Sequence, residues 1–238
     1  REIFFRTKPL FAENRMPAMH QTNNPYLCTM KPSDKLTAYI EAEIIPRYEA
    51  FDPAHRTDHV RTVIGQSLAL ARHYDVDTEM VYAIAAYHDT GLAYGRERHH
   101  IHSGEILLAD TFMQRLFSRE QLAVMRDAIE DHRASSDHAP RTIYGRIVAE
   151  ADRCMEPETV IRRTVQYGLA HYPALDQTGQ FERCMAHLQK KYAEGGYLRL
   201  WIPESENARK QAELRSLIRD SVRLRETFDR IYRQECAG

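Results

Sequence analysis

Four polar residues stand where a helical period calls for an apolar one, and a fifth adjoins them. In "YAIAAYHDTG", residues 82 to 91, Ile84 and His88 are four apart and share a helical face, so the imidazole continues a stripe aimed at the core, and Asp89 follows it. The stripe Leu122, Met125, Ile129 ends in His132, and Ile147, Val148 and Ala151 lead to Asp152, four residues beyond Val148. His59 heads another such stripe and shares a face with Val63. One inward histidine needs only a backbone carbonyl. Buried carboxylates are costlier and must be paired or bound to a cation. Imidazoles and carboxylates together are the ligands a divalent transition metal takes, and one shared metal would satisfy residues from four helices at once.

The elements that must carry these residues read almost wholly as helices. Ser33 can cap a helix whose Leu36, Ile40, Ile44 and Tyr48 lie on one side. "DHVRTVIGQSLALARHY" carries Val60, Val63, Ile64, Ser67, Leu68, Ala71 and Tyr74 on one stripe. "DTEMVYAIAAYHD" follows, then "SGEILLADTFMQRLF" with Ser103 as its cap, and "SREQLAVMRDAIEDH" opens on Ser118 and Gln121 in capping-box spacing. "RTIYGRIVAEADR" is next, and one long last helix spans "ENARKQAELRSLIRDSVRLRETFDRIYRQE", a brace or a dimer surface. The stretches "QYGLAHYPALDQTGQ" and "AEGGYLRLWIPES", rich in Gly, Pro and aromatics, are loop or lid candidates.

Composition sets the limits. At 238 residues the chain suits one sizeable domain, 43% hydrophobic and 28% charged. A net charge of −1 argues against a general binder of nucleic-acid polymers or membrane surfaces. The four cysteines form no CxxC pair, no apolar run approaches the roughly 20 residues of a spanning helix, and no signal peptide is evident, so a cytoplasmic setting is expected. Residues 1–30, with Pro9, Pro17, Pro25 and a polar Gln21 to Asn24 run, read as an irregular leader, and Met30 makes a natural beginning.

His59 in "RTDHVRTV", His88-Asp89 in "AYHDTGL" and Asp152 in "VAEADRCM" together resemble the HD-domain superfamily of metal-dependent phosphohydrolases. The resemblance covers roughly residues 50 to 155 and implies an all-α bundle over 31–238, with the metal-binding core at about 50–155 and a helical extension over 156–238. "HIHSGEIL", with Gly104 four residues after His100, is similar to the HxxxG element of the members that hold a second metal, and His132 in "IEDHRASS" stands where those have another ligand. The implied set is His59, His88, Asp89, His100, His132 and Asp152, with Asp89 bridging one or two ions of iron, manganese, cobalt, nickel or zinc. His99 and His102 compete with His100, which the glycine spacing favours. Leu92 stands where many members have a lysine, and the GYP motif of the cyclic-dinucleotide enzymes is absent.

The chemistry so implied is hydrolysis of a small phosphorylated, nucleotide-like compound by metal-activated water. Asp89 would align that water. His55, four residues before His59, would contact the phosphate or protonate the leaving group, or else make a helix-entry hydrogen bond. Arg133, Arg56, Arg153 and Arg96 are the candidates for holding phosphate oxygens, because a guanidinium donates in a planar fork. Glu130 and Asp131 would steer the His132 tautomer or face water. The alternatives are a di-iron oxygenase acting on a polyol or phosphonate, and a nucleotide-sensing module. Tyr167, Tyr172, Phe181, Tyr192, Tyr197 and Trp201 are either an aromatic wall for a base or simple packing.

Overall fold

A computed structural model describes residues 31–52 and 55–237, and the proposed leader and its Met30 boundary lie outside them. Among the described residues the chain is all-α, with no strand. Ser33 caps α1 (Asp34–Tyr39), its hydroxyl accepting from the Leu36 amide at 3.4 Å. A π turn over Ile40–Ile44 and a 3-10 turn over Ile45–Ala50 carry the same stripe onward. Pro46 lacks the N–H that an α ladder would use there. Leu36, Ile40, Ile44 and Tyr48 are all fully buried.

Helices α2 (Thr57–Ala71) and α3 (Thr78–Tyr87) follow, then a 3-10 turn over Thr90–Tyr94, α4 (His99–Ala109), α5 (Thr111–Leu116), α6 (Arg119–Glu130) and α7 (Ile143–Ala151). Every residue of α3 from Met80 to Tyr87 is buried, as expected of a helix apolar on all sides, and it packs on α2, α4, α6 and α7. The Ser118–Gln121 capping box starts α6 with both bonds made. Two helix boundaries differ from the sequence reading. Ser103 does not cap: α4 begins at His99, and Ser103 is a buried residue inside it whose hydroxyl accepts from the Gly91 amide at 2.8 Å. The last helix is two, α10 (Asn207–Arg219) and α11 (Ser221–Ala237), because Asp220 leaves helical dihedrals and accepts from the Arg223 amide at 3.1 Å.

Residues beyond Met155 form α8 (Pro157–His171), α9 (Gln177–Tyr192), α10 and α11 around an apolar cluster of their own, with Val160, Ile161, Leu188, Leu214, Phe228 and Ile231 at its centre. Of the two loop candidates, Gln166 to His171 belong to α8, whereas residues 193–206 contain no helix. That second segment crosses back to the bundle. Its Ile202 packs with Ala71, Val81 and Ile147. No helix among the described residues is long and apolar enough to cross a membrane.

Candidate metal centre

Three helices end at one place. His88 caps the C-terminus of α3, Asp152 caps that of α7, and His132 lies two residues past the end of α6. The carbonyls of a last helical turn lack the usual N–H partners and carry partial negative charge, which suits a cation nearby. At α3 those carbonyls are used to build the site. His88 Nδ1–H donates to Ala85 O at 2.7 Å, the Tyr48 hydroxyl to Ala86 O at 2.8 Å, and the Thr90 hydroxyl to Tyr87 O at 2.8 Å. Tyr48 also accepts from the Asp89 amide at 3.2 Å, which pins the turn that presents the carboxylate.

The first turns of α2 and α4 bring His59 and His99 against these ends. Asp89 lies between two groups of imidazoles. Its Oδ2 is 3.5 Å from His59 Nε2 and 3.2 Å from His88 Nε2, while its Oδ1 is 3.4 Å from both His99 Nε2 and His132 Nε2. Asp152 joins the first group, its Oδ1 being 3.2 Å from His59 Nε2. The ring nitrogens face one another at 3.3 Å for His59 and His88 and at 3.1 Å for His99 and His132.

A carbonyl can only accept, so the bonds to Ala85 O, Ile129 O and Arg96 O place the protons of His88, His132 and His99 on Nδ1. Their Nε2 lone pairs then point at each other and at carboxylate oxygens. Only a positive species relieves that arrangement. The separations of 3.1 to 3.5 Å match the roughly 3.3 Å edge of a tetrahedron whose centre lies about 2.0–2.1 Å from each ligand atom. His59, His88 and Asp89 form one group able to hold a metal, and Asp89, His99 and His132 form another. The donors fit an ion at each.

The electrostatics show the same demand. Burial alone would raise the Asp89 carboxyl, but His88, His132 and His59 outweigh it and hold the group well below the ordinary carboxylate range. Burial likewise opposes ionisation of Asp152, and His59 and His88 overcome it. Burial lowers His59, yet Asp152 and Asp89 bring it up to about 9. His99 goes the other way: burial and the adjacent His132 push it down to about 4, so its lone pair is free for a ligand bond.

His99, not His100, takes the place next to His132. On α4, His99 shares a face with Ser103 and Leu107, both fully buried, whereas His100 shares one with Gly104. The stripe His99, Ser103, Leu107 was the signal to follow; the serine hid it. His100 Nδ1 has no hydrogen-bond partner. Gly91 permits the geometry, since a Cβ there would be driven into the His99 carbonyl oxygen and would stand 2.6 Å from Ser103 N. His102 points elsewhere, to Glu105 at 3.0 Å.

The surrounding residues divide. His55 lies beside the centre, its ring 5.7 Å from that of His59 and its Nδ1 2.9 Å from Asp52. Arg96 Nη2 is 3.5 Å from His55 Nε2, and Arg133 donates to Glu97 O at 2.5 Å. Both arginines line a cavity of about 430 Å³ on the His99 side. Arg153 lines the cavity of about 310 Å³ beside His59 and Asp152. It is buried and donates to His132 O at 2.9 Å and to Arg199 O at 3.5 Å, so it braces the centre. Arg56 donates to Phe51 O at 3.4 Å and lines neither cavity. Glu130 and Asp131 do not steer His132. Arg141 holds both, at 2.9 and 3.0 Å, and the Ile129 carbonyl sets the tautomer instead. Of the aromatic residues, Phe181 and Tyr192 pack into the second apolar cluster, Tyr167 and Tyr172 stack about Arg183, and Tyr197 lines the His99-side cavity.

Comparison with protein families matches the HD domain to residues 56–155. Comparisons with curated proteins and with solved structures returned no match. All six histidines and aspartates of the two groups lie inside the matched segment, on helices that bring them to one carboxylate. Residues 56–155 therefore form an HD domain.

Proposed function

We propose that this chain is a metal-dependent phosphohydrolase that cleaves a phosphoester or phosphoanhydride of a small, nucleotide-like substrate. The observation that carries the reading is Asp89, whose two oxygens each face a separate pair of imidazole nitrogens. Divalent ions of iron, manganese, cobalt, nickel or zinc, held by His59, His88, Asp89 and Asp152 and by Asp89, His99 and His132, supply Lewis acidity and a water of lowered pKa. Asp89 keeps the two groups at a fixed separation and orients the water as a hydrogen-bond acceptor. Arg96 and Arg133 hold phosphate oxygens from the cavity side. His55, oriented through Nδ1 by Asp52, would be the proton-transfer group at the leaving oxygen through Nε2 once that nitrogen is protonated.

Elemental analysis of chelator-free protein, paired with phosphate release from nucleotides, dinucleoside polyphosphates and simple esters, tests the reading. Two ions per chain and phosphate release are expected. Oxygen uptake under ferrous conditions without phosphate release would assign oxygenase chemistry instead, and absence of both activities in metal-loaded protein would leave a binding module.

A further inference from the structure

The cavity beside His99 has one wall from outside the HD domain. Arg96, His99 and Arg133 come from within residues 56–155, whereas Lys191 and Tyr197 come from the C-terminal extension. Its lining holds three cationic side chains against the single carboxylate of Glu97. Arg96 pairs with Asp52 at 3.4 Å, and Arg133 donates to the Glu97 carbonyl. Among the described residues, neither Arg133 nor Lys191 has a carboxylate within ion-pair distance, although many arginines elsewhere on the surface do. Like charges gathered on facing walls repel, and that cost is offset when an anion lies between them.

The extension is built to hold its part of this wall. Gly195 adopts φ +79°, in the left-handed region. Gly196 then passes so close to α9 that a Cβ would stand 2.6 Å from the Lys191 carbonyl oxygen. The Tyr197 amide donates to Lys190 O at 3.2 Å and the Leu198 amide to Lys191 O at 3.1 Å. Tyr197 is thereby fixed against the end of α9 next to Lys191. Burial lowers the Lys191 ammonium, and the lysine lines the same cavity as His99.

We propose that the extension completes a second anion subsite, in which Lys191 with Arg133 and Arg96 takes a phosphate joined through one bridging atom to the phosphate at the metal centre, with Tyr197 beside it. The identity of the anion as a linked phosphate rests on the phosphohydrolase reading; the subsite itself does not. A substrate with two linked phosphates is then preferred over one with a single phosphate.

The test is calorimetric titration of the full, metal-loaded chain with methylenediphosphonate and with methylphosphonate, two non-hydrolysable probes, checking afterwards that the metal is retained. The wild-type chain is expected to prefer the diphosphonate by at least about tenfold, worth ~1.4 kcal/mol. In Lys191→Met that preference should collapse, in Lys191→Arg it should largely return, and in Lys190→Met, an exposed neighbour losing the same charge, it should stand. An unchanged preference in Lys191→Met, or an equal loss in Lys190→Met, overturns the subsite. Should Lys191→Met fail to fold, Arg133→Met reads the same cavity, and an unchanged preference there overturns the proposal equally. A chain that releases no phosphate from any ester but keeps a Lys191-dependent preference retains the subsite and loses the hydrolase reading; the converse result loses the subsite alone.

Discussion

The α1–α7 bundle and the α8–α11 extension are both helical and both have apolar centres, yet they bury different things. The bundle and its edge bury His88, Asp89, Asp131, His132, Glu150 and Arg153. The extension buries Thr164, Gln180 and Gln211, all neutral. Its polar groups are satisfied locally: Thr164 donates to Val160 O at 2.8 Å, and Gln180 to Tyr172 O at 2.8 Å and Gly168 O at 3.1 Å. Buried charge that is not closed off by its own neighbours marks the region that does chemistry. The bundle's other buried ions show the contrast from within. Asp131 is neutralised by Arg141, and Glu150 receives the Trp201 amide at 2.6 Å and Asn207 Nδ2 at 3.0 Å, tying the extension down. Among the described residues, the Asp89 cluster is the one left with acceptors facing acceptors.

The largest effect should come from Asp89→Asn, which removes the negative charge shared by both groups and replaces one of its two oxygens with a donor. Turnover is expected to fall by at least about 10³-fold, ~4 kcal/mol, with metal content reduced and helical circular dichroism retained. Retained turnover would mean that the bundle's buried charge is merely structural. Next in size is Phe228→Ala in the extension, where a fully buried ring meets Phe181 edge-on and stacks on Tyr232. This should cost about 3–5 kcal/mol in denaturant unfolding while the folded fraction keeps its metal stoichiometry. Loss of metal in proportion would show that the two regions cannot be separated energetically.

His99→Ala and His100→Ala sharpen the comparison within α4. Metal titration should show the first weakening one site by at least about 10–100-fold, the loss seen when groups that merely support a ligand are removed, and the second leaving both sites intact. The smallest effect concerns Asp110, which caps α5 and accepts from the Tyr39 and Tyr87 hydroxyls at 2.7 Å. Asp110→Asn should cost about 1–2 kcal/mol at neutral pH. Burial raises the Asp110 carboxyl, but those hydroxyls and the Phe112 and Met113 amides bring it below its ordinary 3.8. A depressed folded value means this stability is complete above pH 3.8 and is lost as pH falls through the folded value, so the deficit of Asp110→Asn should shrink in acid. A deficit constant down to pH 2 would assign the effect to shape rather than charge.

The sequence by itself determined the all-α class and most of the cluster. His59 began an apolar stripe and His88, His132 and Asp152 ended others, and a helix converts such spacing into a shared face without help from distant residues. Capping was equally local, as Ser33 and Ser118 show. Tertiary structure decided the rest. Neighbouring residues such as His99 and His100 lie about 100° apart around a helix, so which one reaches Asp89 depends on where α4 begins and on how closely Gly91 lets it approach. The break at Asp220 and the commitment of Arg153 to two carbonyls were settled in the same way, by what the folded chain set beside each of them. Lys191 and Tyr197 belong to no motif and meet at the His99-side cavity because α9 carries the first and the returning segment, anchored through Ile202 and Glu150, carries the second. A period is a property of consecutive residues, whereas a wall assembled from remote segments exists only once the chain has packed.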